Sequence, residues 1–214
     1  MSDIFREIEE DLQRDRYKKL WAKYGNAVIA AAIGLVVATG AWQAWKYYRL
    51  QHHQALGQRY AEAMRLAQAG NATEASSAFA KLAEDGSTGY TALARLQEAA
   101  LLAKAGNVDG AIAVYDKLAD DGGVDRAYRD LATLLSVLHG IDKGDPAALL
   151  RRLEPLTAAA NPWRHSALEL SAILADRTGD KARAEQLYTQ LADDATAPAD
   201  IRARAAEMLA ALKG

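Results

Sequence analysis

Two hydrophobic patterns divide this chain. Between Lys23 and Lys46 the 22 residues from Tyr24 to Trp45 carry no charge on any face, whereas further along apolar residues recur at intervals of three and four, the spacing of amphipathic helices. As a helix rising about 1.5 Å per residue, the uncharged segment is roughly 33 Å long, against a bilayer hydrocarbon core of about 30 Å. Trp21 and Tyr24 stand at one margin and Trp42, Trp45, Tyr47 and Tyr48 at the other, where amphipathic rings settle at headgroup level. The pattern predicts a transmembrane helix over 24–45. A buried core helix is the competing reading, but such helices seldom run this far uncharged. A cleaved signal fits worse, because 23 residues with six acids precede the segment.

Lys and Arg near the span favour an N-terminus inside: Arg14, Arg16, Lys18, Lys19 and Lys23 precede it, and Lys46, Arg49 and Arg59 follow. The expected organisation is a cytoplasmic tail over 1–23, the membrane helix over 24–45, a stalk over 46–53 and a repeat domain over 54–214 on the far side. Ala30, Gly34 and Ala38 form a ridge of small residues on which a second membrane helix could pack. In the tail, Ile4, Ile8 and Leu12 make one apolar stripe, while six acids and six bases cancel.

Beyond the span the chain repeats. Residues 60–86 and 96–122 match at 13 of 27 positions, including the Ala-Gly-Asn turn and the Lys-Leu-Ala that precedes an acidic close. A further copy has its turn at Thr178-Gly179-Asp180, 73 residues after Gly106, which leaves room for a worn unit around Lys143-Gly144-Asp145-Pro146. Four units then start near Gln54, Gly89, Asp125 and Pro162. Second helices carry Ala-x3-aromatic-x2-Leu (Ala75, Phe79, Leu82; Ala111, Tyr115, Leu118; Ala184, Tyr188, Leu191), which puts a small residue, a ring and a Leu on one stripe. Period and pattern resemble the tetratricopeptide repeat: an all-α solenoid of helical hairpins, closed by a capping helix over 198–213 with Ile201, Ala205, Met208 and Leu212 facing inward. Tyr90, Tyr128 and Trp163 each stand sixteen residues before a turn glycine, either as inter-repeat packing or as a ladder of rings along a peptide groove.

Composition agrees with helix: the chain is rich in Ala, with 4 Pro and 2 Phe in 214 residues. A net charge of −2 argues against a dedicated nucleic-acid binder. Without Cys there is no disulfide, thiolate nucleophile or Cys-ligated metal. The four His form no ligand constellation, His52 and His53 being adjacent and His139 and His165 isolated. Glycines fall singly at turns, so neither a phosphate loop nor a dinucleotide fingerprint is present. Asp120-Asp121 and Asp193-Asp194 lie at helix C-terminal ends and are expected to be solvated. The expectation is a non-enzymatic protein with no cofactor, metal or small-molecule substrate.

The order of charged tail, Trp21-x3-Gly25, apolar span with Gly34 and Gly40, Trp42-x2-Trp45, a helix bearing Ala55 and Tyr60, and then repeats resembles the YfgM-like family of ancillary Sec translocon subunits. That resemblance implies a single-pass bacterial inner-membrane protein with a periplasmic repeat domain. Its implied partners are Sec translocon subunits and a membrane-anchored periplasmic chaperone. It supplies no catalytic residues. The expected function is a tethered adaptor between the translocon and periplasmic chaperones or emerging chains. The alternative is a scaffold that self-associates through the span and first repeats to organise an envelope or cell-division complex.

Overall fold

A computed structural model describes residues 2–85 and 88–213, and among these there are nine α-helices, one short 3-10 turn and no strand. The helices are α1 Ser2–Gln68, α2 Ala72–Asp85, α3 Thr88–Lys104, α4 Val108–Ala119, α5 Arg126–Gly140, α6 Pro146–Leu153, α7 Arg164–Arg177, α8 Lys181–Asp193 and α9 Ala199–Lys213, with the 3-10 turn Glu154–Thr157 after α6. The chain divides into two compact units, Met1–Gln54 and Ala55–Gly214, and α1 contributes to both.

Among the described residues of the first unit the large apolar side chains are exposed: Ile29, Ile33, Leu35, Val36 and Val37 are 49–69 % exposed. The Thr39 hydroxyl donates back to the carbonyls of Leu35 and Val36, both at 2.9 Å, so this hydroxyl in the middle of the segment is satisfied by its own helix. The side chains of Ile4, Ile8 and Leu12 lie outside the described residues. Among the described residues no helix is long and apolar enough to cross a membrane, and the side chains of Ala27, Val28, Ala31 and Ala32, within the uncharged segment, are outside that description.

In the second unit the helices pair in chain order: the end of α1 with α2, α3 with α4, α5 with α6, α7 with α8, and α9 last. The joints follow from local chemistry. At Gly70, Gly106 and Gly179 φ is +81° to +85°, where a Cβ is strained. At each joint the next residue's N–H closes on a carbonyl five positions back: Asn71 on Leu66, Asn107 on Leu102, Asp180 on Ala175. The same residue then starts the next helix, and Asn107 and Asp180 accept from the N–H groups of Gly110 and Arg183 at 3.1 and 3.0 Å. Two residues therefore finish one helix and cap another, which holds the hairpin tight.

The expected stripes form the core. Ala75, Ala111 and Ala184 are fully buried, and Phe79, Tyr115, Tyr188, Leu82, Leu118 and Leu191 nearly so. Ala63, Ala99, Val137 and Ala172 hold one position of the first helices and are also fully buried, which lets the paired helices approach closely. Four clusters, one after another along the stack, replace a single central core.

The worn third unit keeps the spacing and changes the residues. Leu149, Leu153 and Leu156 stand where the other units have Ala, an aromatic ring and Leu, and all three are buried. A Leu in the close-approach position needs room, and Gly144 supplies it. A Cβ on Gly144 would lie 2.9 Å from the Gly140 carbonyl and 3.0 Å from Leu149 Cδ1. Gly144 is thus required for space, whereas the other three turn glycines are required for φ. Helix α6 starts at Pro146, ends at Leu153 and tightens into the 3-10 turn, while Asp145 caps it through the N–H groups of Ala147 and Ala148. The C-terminal cap also needs a correction. Ile201 and Ala205 are buried, but Met208 is 39 % exposed, and Leu209 packs on the core in its place beside Leu212. The inward stripe therefore runs 201, 205, 209, 212, with the four-then-three spacing of one helix face.

Candidate interaction surface

First helices meet first helices across the units, α3 against α5, α5 against α7 and α7 against α9, so they form one continuous wall. Along it the residues next to the buried row are Met64, Ala100, Leu138 and Ile173, of which Leu138 and Ile173 are 45 % and 37 % exposed. Seven residues before Ala100, Leu138 and Ile173, on the same faces, stand Leu93, Leu131 and Ser166, with Leu93 37 % exposed. The wall thus presents separated apolar side chains, three of them large and open to solvent.

The aromatic position divides into two roles. Tyr90 is half-buried, its ring centroid 6.1 Å from that of Tyr60, and its hydroxyl lies where a Cβ on Gly57 would come within 3.0 Å. Trp163 is half-buried and its indole N–H donates to the Ala127 carbonyl at 3.1 Å, on the preceding first helix. Both rings are used to join neighbouring units. Tyr128 alone of the three offers its ring to solvent. The structure therefore brings no unbroken ladder of rings together.

Polar links close each hairpin and were missed in the sequence. Arg59 and Arg95, 36 residues apart, pair with Asp85 and Asp121, also 36 apart, at 3.1 and 2.6 Å. In the third unit Asn161 donates to Asp130 at 2.8 Å, and in the fourth Arg164 donates to Asp194 at 2.7 Å. Asp121 and Asp194 are thus acceptors within their units and not solvated ends. The Arg95 hydrogen bond, joined by the Gly123 N–H, holds the Asp121 carboxyl below its ordinary range. Asp194 is held lower still, by the Thr196 hydroxyl first, then by Arg164 and the Thr196 N–H, with His165 Nε2 at 3.2 Å. The periodic Arg and Asp were the available signal. Between the second and third units Ser136 donates to Asp116 at 2.6 Å, and Arg152 pairs with the same carboxylate oxygen. His139 stacks on Tyr115 at 5.7 Å with the planes 9° apart, so neither isolated His stands in a ligand set.

An open cleft of about 350 Å³ lies between α6, α7 and α8, edged by Arg151, Glu154, Asp180 and Arg183. Another of about 300 Å³ lies between α2 and α3, lined by Ser76, Ser77 and Glu98. Burial is the main cause raising the Glu98 carboxyl above its ordinary range. Both are open furrows between neighbouring helices, with both charge signs in the first. Among the described residues no group of three or more His, Asp or Glu is placed to hold a metal ion.

The residues singled out on the first unit are exposed, with one exception. Trp21 is 62 % exposed, yet its ring lies over Gly25, where a Cβ would come within 3.3 Å, so Gly25 is buried beneath it. Trp42 and Trp45 have ring centroids 5.7 Å apart, and Ala30, Gly34 and Ala38 are open to their surroundings.

Stacked hairpins, glycine joints, repeated stripes and a terminal cap define a helical-repeat protein, a class built to offer an extended surface to other proteins. Residues 18–213 match the family described as tetratricopeptide repeat-like domain, and the chain belongs to it. The match starts at residue 18, so it takes in the uncharged segment as well as the hairpins. No curated protein and no solved structure matches the chain. A protein-interaction module is the function this family carries.

Proposed function

We propose that this chain is a membrane-tethered adaptor of the bacterial inner membrane, with its N-terminus cytoplasmic and its repeat domain periplasmic. The observation that carries this reading is the 22-residue uncharged segment Tyr24 to Trp45, whose described large apolar side chains are exposed, joined to a repeat domain of an interaction family. Lipid covers such a segment at no desolvation cost, and a helix satisfies its own backbone there. The resemblance of Trp21-x3-Gly25, the span and Trp42-x2-Trp45 to YfgM-like proteins supports Sec translocon subunits and a membrane-anchored periplasmic chaperone as partners. Tethering confines the wall of first helices near the channel, so weak contacts with emerging chains or chaperones are populated without high affinity.

Two measurements test this. The full chain is expected to stay with carbonate-washed membranes, and protease added to spheroplasts is expected to digest the repeat domain; release by carbonate refutes the tether. Capture of the full chain in mild detergent is expected to bring down Sec subunits or a periplasmic chaperone, and recovery of neither refutes the adaptor role.

A further inference from the structure

Charge is distributed unevenly around the uncharged segment. The chain as a whole has 28 acids, yet from Arg16 to Ala61 there is none, and the 24 residues flanking the segment within that stretch carry seven cations. On the C-terminal side Trp42, Trp45, Lys46, Arg49 and His53 share one helix face, by spacings of three, four, seven and eleven. The Arg49 guanidinium lies 4.8 Å from the centroid of the Trp45 ring, and the side chains of this face are exposed. The nearest acids in sequence are Asp15 and Glu62, so no acid on this segment competes for the two cations.

We propose that this face is a binding surface for anionic phospholipid headgroups, an inference that rests on the membrane span proposed above. The rings fix the depth of the helix at the interface, and Lys46 and Arg49 then stand at the level of the phosphates. Stacking on Trp45 holds the guanidinium plane in place and leaves its edge donors to a phosphate. The occupant is argued from charge complementarity: a cationic, acid-free face at headgroup level selects anionic over zwitterionic lipid, each cation near such a surface contributing about 1 kcal/mol. Acids lie upstream, at Asp15 and before, so the acidic part of the tail is set apart from the interface.

The test uses the full chain in phosphatidylcholine vesicles containing a minor fraction of brominated phosphatidylglycerol or, in parallel, the same fraction of brominated phosphatidylcholine. In a Trp21→Phe background, used for every sample, bromine at the membrane quenches Trp42 and Trp45 on contact. Quenching by the anionic probe is expected to exceed that by the zwitterionic probe by about twofold, and the Lys46→Gln/Arg49→Gln variant is expected to lose at least about half of that excess. High salt is expected to reduce it in the chain that keeps Lys46 and Arg49. Equal quenching by the two probes in a carbonate-resistant chain, or an excess that the variant retains in full, overturns the headgroup surface and leaves the span standing. Extraction by carbonate overturns both.

Discussion

At the scale of single residues, the second-helix stripe shows what each position requires. Tyr188 is buried, its hydroxyl has no hydrogen-bond partner among the described residues, and Phe79 fills the same position in the first unit. A buried unpaired hydroxyl costs stability, so Tyr188→Phe is expected to be neutral or to stabilise by up to about 1 kcal/mol in denaturant titration. A loss above that size would show a partner for the hydroxyl. The carboxylates of Asp121 and Asp194 are held below their ordinary range, so the folded chain binds fewer protons than the unfolded one in acid. Their contribution is complete above the unfolded carboxylate pKa of about 3.9 and declines as pH falls through the folded values. Asp194→Asn is therefore expected to lower Tm at neutral pH and to flatten its fall below about pH 4. Melting curves of the two proteins that stay parallel across that range would contradict this.

At the scale of elements, the third hairpin shows a stripe exchanging volumes while the backbone adjusts. Leu149 takes an alanine's place because Gly144 makes room, which separates the roles of Gly140 and Gly144, four apart in sequence. A Cβ on Gly140 would meet Ile112 and Leu149 at 3.6 and 3.8 Å, ordinary contact, whereas one on Gly144 meets backbone at 2.9 Å. Gly140→Ala is expected to fold with little loss, and Gly144→Ala to lose about 1–3 kcal/mol by overpacking, read from urea midpoints of the two variants. Equal effects would remove the spatial account. The hairpins with Ala-Gly-Asn or Thr-Gly-Asp joints were legible in the sequence because φ and capping are local demands. The third was harder to read because its Leu149-x3-Leu153-x2-Leu156 stripe depends on what the preceding helix leaves open.

At the scale of the whole molecule, the repeat domain has no single centre: each hairpin is held by its neighbours, and the ends have one neighbour only. Hydrogen exchange is expected to be slowest in α4, α5 and α7, and removal of α9 is expected to speed exchange in α7 and α8 while sparing α3 and α4. Uniform acceleration along the domain would instead mean one cooperative block. The sequence alone determined the helical class, the number and phase of the hairpins, the joints and the uncharged segment, because backbone conformation and helix-face pattern are written within some twenty neighbouring residues. Tertiary structure decided which carboxylates close hairpins, that Tyr90 and Trp163 join units while Tyr128 stays open, and that Leu209 replaces Met208 in the cap. Those choices depend on what a helix from another hairpin brings within reach, and a linear pattern specifies the face a side chain takes without specifying its neighbour.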